Sequence, residues 1–131
     1  MPLRLLFDPR VRRGFLIGWW LGWLAVAALM LRPPPEALAA VSDKLLHFIG
    51  YLVMTGATVS FCRSPLGLLR WSLVTLALAT ALELGQALMP GRSFELHDLF
   101  ANAAGVAVGY LLAVACLMGL LRPLAVAFDR A

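Results

Sequence analysis

The sequence is poor in charged residues, which excludes several classes of protein. Only 14% of its 131 residues are charged and 62% are apolar, whereas soluble domains have about 25% and about 45–50%. An ordinary soluble domain is therefore excluded. The net charge is +4, but Lys44 is the single lysine and the basic residues are scattered between apolar runs. Because nucleic-acid-binding proteins cluster basic residues on one face, we expect no nucleic-acid partner.

The sequence also lacks the motifs of common metal and redox sites. Its two cysteines, Cys62 and Cys116, do not have the spacing of a metal or redox motif and are expected to be small buried apolar side chains. No HExxH sequence and no nucleophile motif occurs. The sequence therefore predicts no cofactor and no metal site.

Long apolar runs are what the sequence has in abundance. A helix needs about 17–25 apolar residues to cross a hydrocarbon core of about 30 Å, and four runs have this length: residues 14–31, 45–62, 71–89 and 99–121. Proline and glycine lie between them, in segments 33–35, 63–70 and 90–93. We therefore predict one all-α domain over residues 1–131, a transmembrane bundle of four helices in the lipid bilayer.

The basic residues predict the orientation of this bundle, because Lys and Arg in short loops stay on the cytoplasmic side. With four spans, both termini share a side with the middle loop. That side has eight basic residues and the opposite side has three, so we expect both termini to be cytoplasmic. A secretory signal over residues 1–39 fits less well, because its 18-residue apolar run exceeds the usual core of about 7–15 residues.

Polar residues gather in the half of the bundle that this topology places outside. Ionisable groups inside a span cost about 2.5–3.5 kcal/mol, so their positions are informative. They form stripes at helical spacing, which suggests one convergent site. The predicted ligand-binding residues are Lys44, His47, Tyr51, Glu83, Gln86, Arg92, Asp98 and Asn102, with Asp43 and His97 in support.

Glu83 lies about 9 Å inside the third span, so we expect its carboxylate to contact Lys44, His47 or Arg92. The alternative is that the polar residues are independent: Asp43 and Asp98 would cap helices, and the loop residues would simply be solvated. Glu95 is expected to be such a loop residue.

Small residues recur every four positions in two spans. Gly14, Gly18 and Gly22 form one series, and Gly105 and Gly109 belong to another. Such spacing lets helix backbones approach closely in lipid, so we predict packing faces there. Whether they pack within the chain or against another copy stays open, and so does the oligomeric state.

Three segments together resemble the VanZ-like family of bacterial multi-pass membrane proteins. They are Asp43-Lys44-x-x-His47-Phe48-x-x-Tyr51, Glu83-x-x-Gln86-x-x-x-Pro90-x-Arg92 and Asp98-x-x-x-Asn102-x-x-Gly105-x-x-x-Gly109, within residues 41–112. The resemblance implies a small helical protein of the bacterial cytoplasmic membrane. Family members are sometimes associated with reduced susceptibility to glycopeptide antibiotics such as teicoplanin.

Three functions are compatible with the predicted site. In the first, it binds or moves the head group of a lipid or lipid-linked envelope precursor, and Lys44 and Arg92 contact phosphate. In the second, His47, Glu83 and Asp98 act as acid, base or metal ligands of an intramembrane hydrolase or transferase. In the third, the polar residues fix helix register in a partner subunit of a membrane complex.

Overall fold

A computed structural model describes residues 8–31, 42–89 and 94–128, with side chains described as far as residue 119. Within these ranges the chain is helical and contains no strand. Four α-helices follow one another: α1 (Pro9–Met30), α2 (Asp43–Gly56), α3 (Pro65–Ala87) and α4 (Leu96–Phe128). A 3-10 helix, Ala57–Ser60, continues α2. The all-α prediction is therefore confirmed.

All four helices begin before their predicted spans, and the two that begin earliest relative to them, α1 and α3, are started by proline. Pro9 and Pro65 each lie in the first turn of their helix, where the missing N–H costs nothing and the fixed φ angle suits the helix. Asp8 caps α1 by accepting from Arg10 N at 2.7 Å, and Ser64 caps α3 by accepting from Gly67 N at 3.1 Å. The expectation that segment 63–70 lies between two spans is therefore wrong for most of its residues, which form the start of α3.

The predicted second span, residues 45–62, is not one continuous α-helix in the structure. It consists of the 14-residue α2 and the four-residue 3-10 helix, together about 29 Å long at 1.5 and 2.0 Å per residue. The α-helix ends because two side chains bond carbonyls of its last turn. Thr58 Oγ1 donates to Thr55 O at 2.7 Å, and Trp19 Nε1 donates to Met54 O at 2.8 Å.

Among the described residues, helices α2 and α4 form the most closely packed pair. A Cβ atom on Gly105 would collide with the carbonyl of Phe48, and one on Gly109 would lie 2.6 Å from Leu52 O. Only glycine therefore allows these two backbones to approach so closely. Helix α3 packs beside the pair, and α1 contacts the other helices mainly through buried Trp19 and Trp23.

The outer surface of the bundle is apolar. Pro9–Met30, Pro65–Ala87 and the Leu96–Gly119 part of α4 are long and apolar enough to cross a membrane. Many large apolar side chains on these helices are exposed, as expected for surfaces that face lipid. The predicted loops at residues 33–35 and 90–93 lie outside the described residues.

Candidate functional site

Three helix ends meet at one end of the bundle. They are the first turns of α2 and α4, which carry Asp43 and Asp98, and the last turns of α3, which carry Glu83 and Gln86. Helices α2 and α4 run in the same direction and α3 runs in the opposite one, so polar residues from three separate segments lie at the same level of the bundle. We call the group the polar cluster. Its buried members are His47, Glu83, Asp98 and Asn102, and its exposed members are Asp43, Lys44 and Glu95.

His47 is at the centre of the polar cluster and is only 2% exposed. Its Nδ1 atom lies 2.9 Å from Asn102 Oδ1 and 4.0 Å from Glu83 Oε2. On the other side of the ring, Nε2 lies 3.8 Å from Asp43 Oδ1. Because an amide oxygen can only accept, the contact with Asn102 assigns a proton to Nδ1.

Lys44 makes the second set of contacts. Its Nζ donates to Glu95 Oε2 at 3.0 Å and lies 3.4 Å from Asp98 Oδ1. The hydrogen bond from Lys44 lowers the pKa of Glu95. Glu95 is therefore not the independent loop residue that the sequence suggested. Its three-residue distance from Asp98 and the single lysine in the chain were the signals that could have identified the pair.

The carboxylate of Glu83 lies beside one of the three partners expected for it. Among the described residues, the basic side chain within 4.0 Å of it is His47, whereas Lys44 pairs with Glu95 and Asp98. Arg92, the other expected partner, lies outside the described residues. Glu83 is only 2% exposed, so its position inside the bundle agrees with the sequence argument.

Gln86 and Tyr51 border the polar cluster and hold helices together. Gln86 Nε2 donates to Met30 O at 2.6 Å, which fastens the end of α1 to α3. The Tyr51 ring is 1% exposed and lies 5.8 Å from the Trp23 ring and 6.2 Å from the His47 ring, measured between centroids. Both residues were predicted to bind a ligand. In the structure, both contact other residues of the chain.

One predicted site residue, His97, is not brought into the polar cluster. His97 is exposed, although it adjoins Asp98 in sequence.

The glycine series of α1 was predicted to form a packing face. No described atom beyond the helix itself would lie within 4 Å of a Cβ on Gly14 or Gly18. Gly22 differs, since its Cβ would lie 3.4 Å from Met54 Sδ. The first glycine series therefore packs within the described chain only at Gly22.

Some buried polar atoms of the polar cluster accept or donate no hydrogen bond within the described part of the chain. They are Glu83 Oε2, Asp98 Oδ1 and Asn102 Nδ2, although Asp98 Oδ1 also has the ion-pair contact with Lys44. A buried polar group without a partner costs about 1–3 kcal/mol. A polar ligand that formed hydrogen bonds with these atoms would remove this cost and gain binding free energy.

The charge of the polar cluster is negative. The polar cluster contains four carboxylates, those of Asp43, Glu83, Glu95 and Asp98, and one ammonium, that of Lys44. Its formal charge is therefore −3 with His47 neutral. The N-termini of α2 and α4 offset a part of it, since each contributes roughly half a positive charge. The described part of the site therefore favours positively charged ligands.

One further grouping was not recognised from sequence motifs. A carboxylate oxygen from each of Asp43 and Asp98 and a ring nitrogen of His47 all lie within 4.8 Å of one another. Residues 43 and 47 are one helical turn apart, but Asp98 comes from another helix. No linear motif could therefore have revealed the three together.

Comparison with known proteins identifies the family. A family model described as VanZ/LLP1 matches residues 23–119, which include the three polar segments and all of α2 and α3. No curated protein and no solved structure matches the chain. The match covers well over half of the sequence, and the apolar helices agree with a membrane protein. The chain therefore belongs to the VanZ/LLP1 family.

Proposed function

We propose that the polar cluster binds the head group of a lipid or lipid-linked cell-envelope molecule. The observation that carries this proposal is the set of buried atoms without hydrogen bonds, Glu83 Oε2 and Asn102 Nδ2, in the described part of the site. In a bilayer such atoms find no water, so a polar head group is the natural partner. Exposed Lys44 and Glu95 mark the entrance from the surface.

The surroundings of the polar cluster suit a molecule with both a polar head and an acyl chain. Leu45 and Ile49 on α2, and Leu96 and Phe100 on α4, are 47–66% exposed and belong to the same helix turns as the cluster. Acyl chains would lie against these side chains while the head group entered between the helices.

Two parts of a head group would be recognised separately. The carboxylates of Glu83 and Asp43 suit a positively charged amine, since charge-assisted hydrogen bonds are about twice as strong as neutral ones. The half-exposed Lys44 would contact a phosphate, together with Arg92, whose planar guanidinium can bind two oxygens at once. With the topology predicted above, the site opens to the outer leaflet of the cytoplasmic membrane. Binding of an envelope precursor there would alter susceptibility to glycopeptide antibiotics.

The test is to identify the lipids that co-purify with the protein. In mild detergent, native mass spectrometry of the unmodified chain should show a bound lipid. The neutral variants Glu83→Gln and Asn102→Leu should lose it. Thr75→Val is the matched control, because Thr75 is a buried polar residue on the same helix whose hydroxyl bonds Trp71 O at 3.0 Å. Equal lipid occupancy in all four proteins would contradict the proposal.

An acid–base reaction on the same head group is the second candidate. It is favoured by the position of His47, whose two ring nitrogens each have a carboxylate within 4.0 Å. A histidine between two carboxylates can accept a proton on one side and release one on the other. Release of a water-soluble product from the co-purified lipid, lost in His47→Gln, would identify a hydrolase or transferase.

A further inference from the structure

The grouping of Asp43, His47 and Asp98 has the geometry of a metal site. Oxygen and nitrogen ligands bind divalent ions at about 2.0–2.5 Å, so two ligands of one ion are at most about 4–5 Å apart. The three ligand atoms of this grouping lie within 4.8 Å of one another. Small movements of the side chains would let all three contact one ion.

The hydrogen bond of His47 prepares its ring for such a role. Because Nδ1 carries the proton that Asn102 Oδ1 accepts at 2.9 Å, a neutral ring has its lone pair on Nε2. That lone pair lies on the side of Asp43, whose Oδ1 is 3.8 Å away. Two acceptors then oppose each other, which a cation between them would relieve. Metal-binding histidines usually donate their other N–H to an oxygen acceptor in this way, and Asn102 is fully buried.

Asp98 adds a buried acceptor that has capacity to spare. It is 5% exposed, and its Oδ1 accepts no hydrogen bond from the described chain. Lys44 Nζ lies 3.4 Å from this oxygen but only 3.0 Å from Glu95 Oε2. The ammonium can therefore stay on Glu95 when another cation binds Asp98. With a formal charge of −3, the polar cluster keeps a negative charge of −1 after a divalent ion has bound.

We propose that Asp43, His47 and Asp98 bind one divalent transition-metal ion, with Mn²⁺ and Zn²⁺ as the ions that suit two carboxylates and an imidazole. Asn102 is the positioning residue that holds the His47 ring. Three protein ligands leave coordination positions open for water or an outside oxygen. The inference deepens the proposed function and rests on it in one respect: the outside oxygen would come from the phosphate of the head group.

The test uses Mn²⁺ alone on the purified full-length chain in detergent, after removal of metals with a chelator. Titration followed by electron paramagnetic resonance should show one ion bound per chain, and pulsed measurements should show coupling to a histidine nitrogen. Asp43→Asn and Asp98→Asn should each weaken binding at least tenfold. His47→Gln should also abolish the nitrogen coupling. Zn²⁺ should displace the bound Mn²⁺.

His97→Gln is the matched control for the nitrogen signal. His97 is exposed and adjoins Asp98. An ion bound non-specifically at the surface through His97 would therefore lose its nitrogen coupling in this variant. The proposed site should keep it. Circular dichroism on each variant establishes that the helices remain, and the isosteric Asp→Asn changes also remove negative charge, which should not unfold the bundle.

Two outcomes would overturn the inference. One is Mn²⁺ binding of equal strength in the three variants and the unmodified chain, or none in any of them. The other is binding without nitrogen coupling. Lipid analysis distinguishes failure of the metal site from failure of the proposed function. If the protein retains lipid but binds no metal, head-group binding stands and the metal site is wrong. If it binds metal but no lipid, the metal site stands and head-group binding is wrong.

Discussion

A buried histidine in a membrane protein must find a partner for each ring nitrogen, because lipid supplies none. His47 meets this requirement at Nδ1, which donates to Asn102 Oδ1 at 2.9 Å and lies 4.0 Å from Glu83 Oε2. At Nε2 the ring faces another acceptor, Asp43 Oδ1, 3.8 Å away. A charge that enters the polar cluster would lie close to the ring and change its electrostatic environment. One residue therefore connects α2, α3 and α4 through polar contacts as well as through packing.

The ion pair at the edge of the polar cluster gives a prediction about pH. Removing the ammonium in Lys44→Met should raise the pKa of Glu95 towards its ordinary value, because the hydrogen bond from Lys44 is the main cause of the lowering. Lys44→Arg should keep most of it. The Cδ resonance of Glu95 in an NMR titration measures this directly, and the chain has only two other glutamates.

The sign of the effect on stability follows from that pKa. Since the folded pKa of Glu95 is lower than the unfolded one, the pair stabilises the fold above the unfolded pKa, and this contribution is lost as pH falls through the folded value. Both side chains are about half exposed, so the effect is small. An unchanged Glu95 titration in Lys44→Met would contradict the contact.

Trp19 provides a second prediction at the scale of one residue. Trp19→Phe should lower the free energy of unfolding by about 1–3 kcal/mol, because Met54 O would lose its buried donor. Trp20→Phe should lower it much less, since Trp20 is 44% exposed. Unfolding in mixed micelles with increasing dodecyl sulfate, followed by circular dichroism, compares them. Equal losses would show that ring packing, rather than the hydrogen bond, accounts for the effect.

Among the elements, α2 and α4 depend on glycine for their close approach. Gly109→Ala should destabilise the bundle by about 1–3 kcal/mol, as overpacking does, because the added Cβ would lie 2.6 Å from Leu52 O and 2.9 Å from Thr55 Cβ. Gly14→Ala is the control: its Cβ meets open space within the described chain, so helix propensity should stabilise it by up to about 1 kcal/mol.

The same unfolding measurement decides this prediction. If Gly109→Ala is as stable as the unmodified protein, the two backbones must be farther apart than the structure has them. If Gly14→Ala is strongly destabilised, the open face of α1 must be covered in the micelle, for which a second copy of the chain would be the simplest explanation.

The all-α architecture of the described residues, and the burial of Glu83 and Asn102 inside it, could be predicted from the sequence because lipid imposes strong rules on apolar length and on polar groups. Helix bounds could not, since they depend on local bonds. Pro65 reads as a chain breaker but starts α3 once Ser64 caps it. The end of α2 depends on Trp19, which comes from another helix. The grouping of His47 with Asn102 was predicted as convergence, but its individual partners required three-dimensional structure.

At the scale of the whole molecule, the described part of the chain places many apolar side chains outside and buries four members of its polar cluster. Leu24, Val53 and Leu111 are each more than half exposed, whereas Thr55, Thr75 and Asn102 are fully buried. This is the reverse of a soluble protein and fits a lipid surround. The polar cluster is concentrated near one end of the bundle, so its biological role depends on which side of the membrane that end faces.

Whether both termini lie on one side depends on α2. Three helices have membrane-crossing length, and α2 with its 3-10 continuation is about 29 Å long, close to the hydrocarbon thickness of about 30 Å. We predict that it crosses, so that the chain has four spans and both termini are cytoplasmic. An α2 that only dips into the membrane would leave three spans and place the termini on opposite sides.

Cysteine labelling in intact cells tests this topology. In a background with Cys62 and Cys116 replaced by alanine, Ser93→Cys should react with a membrane-impermeant maleimide from outside. Ala131→Cys, and a cysteine in place of Pro2, should react only after permeabilisation. Reaction of one terminus alone from outside would show three spans. Reaction of both termini from outside, without reaction of residue 93, would show that the protein has the opposite orientation. The polar cluster would then lie at the cytoplasmic face, where a head group of the outer leaflet could not reach Lys44.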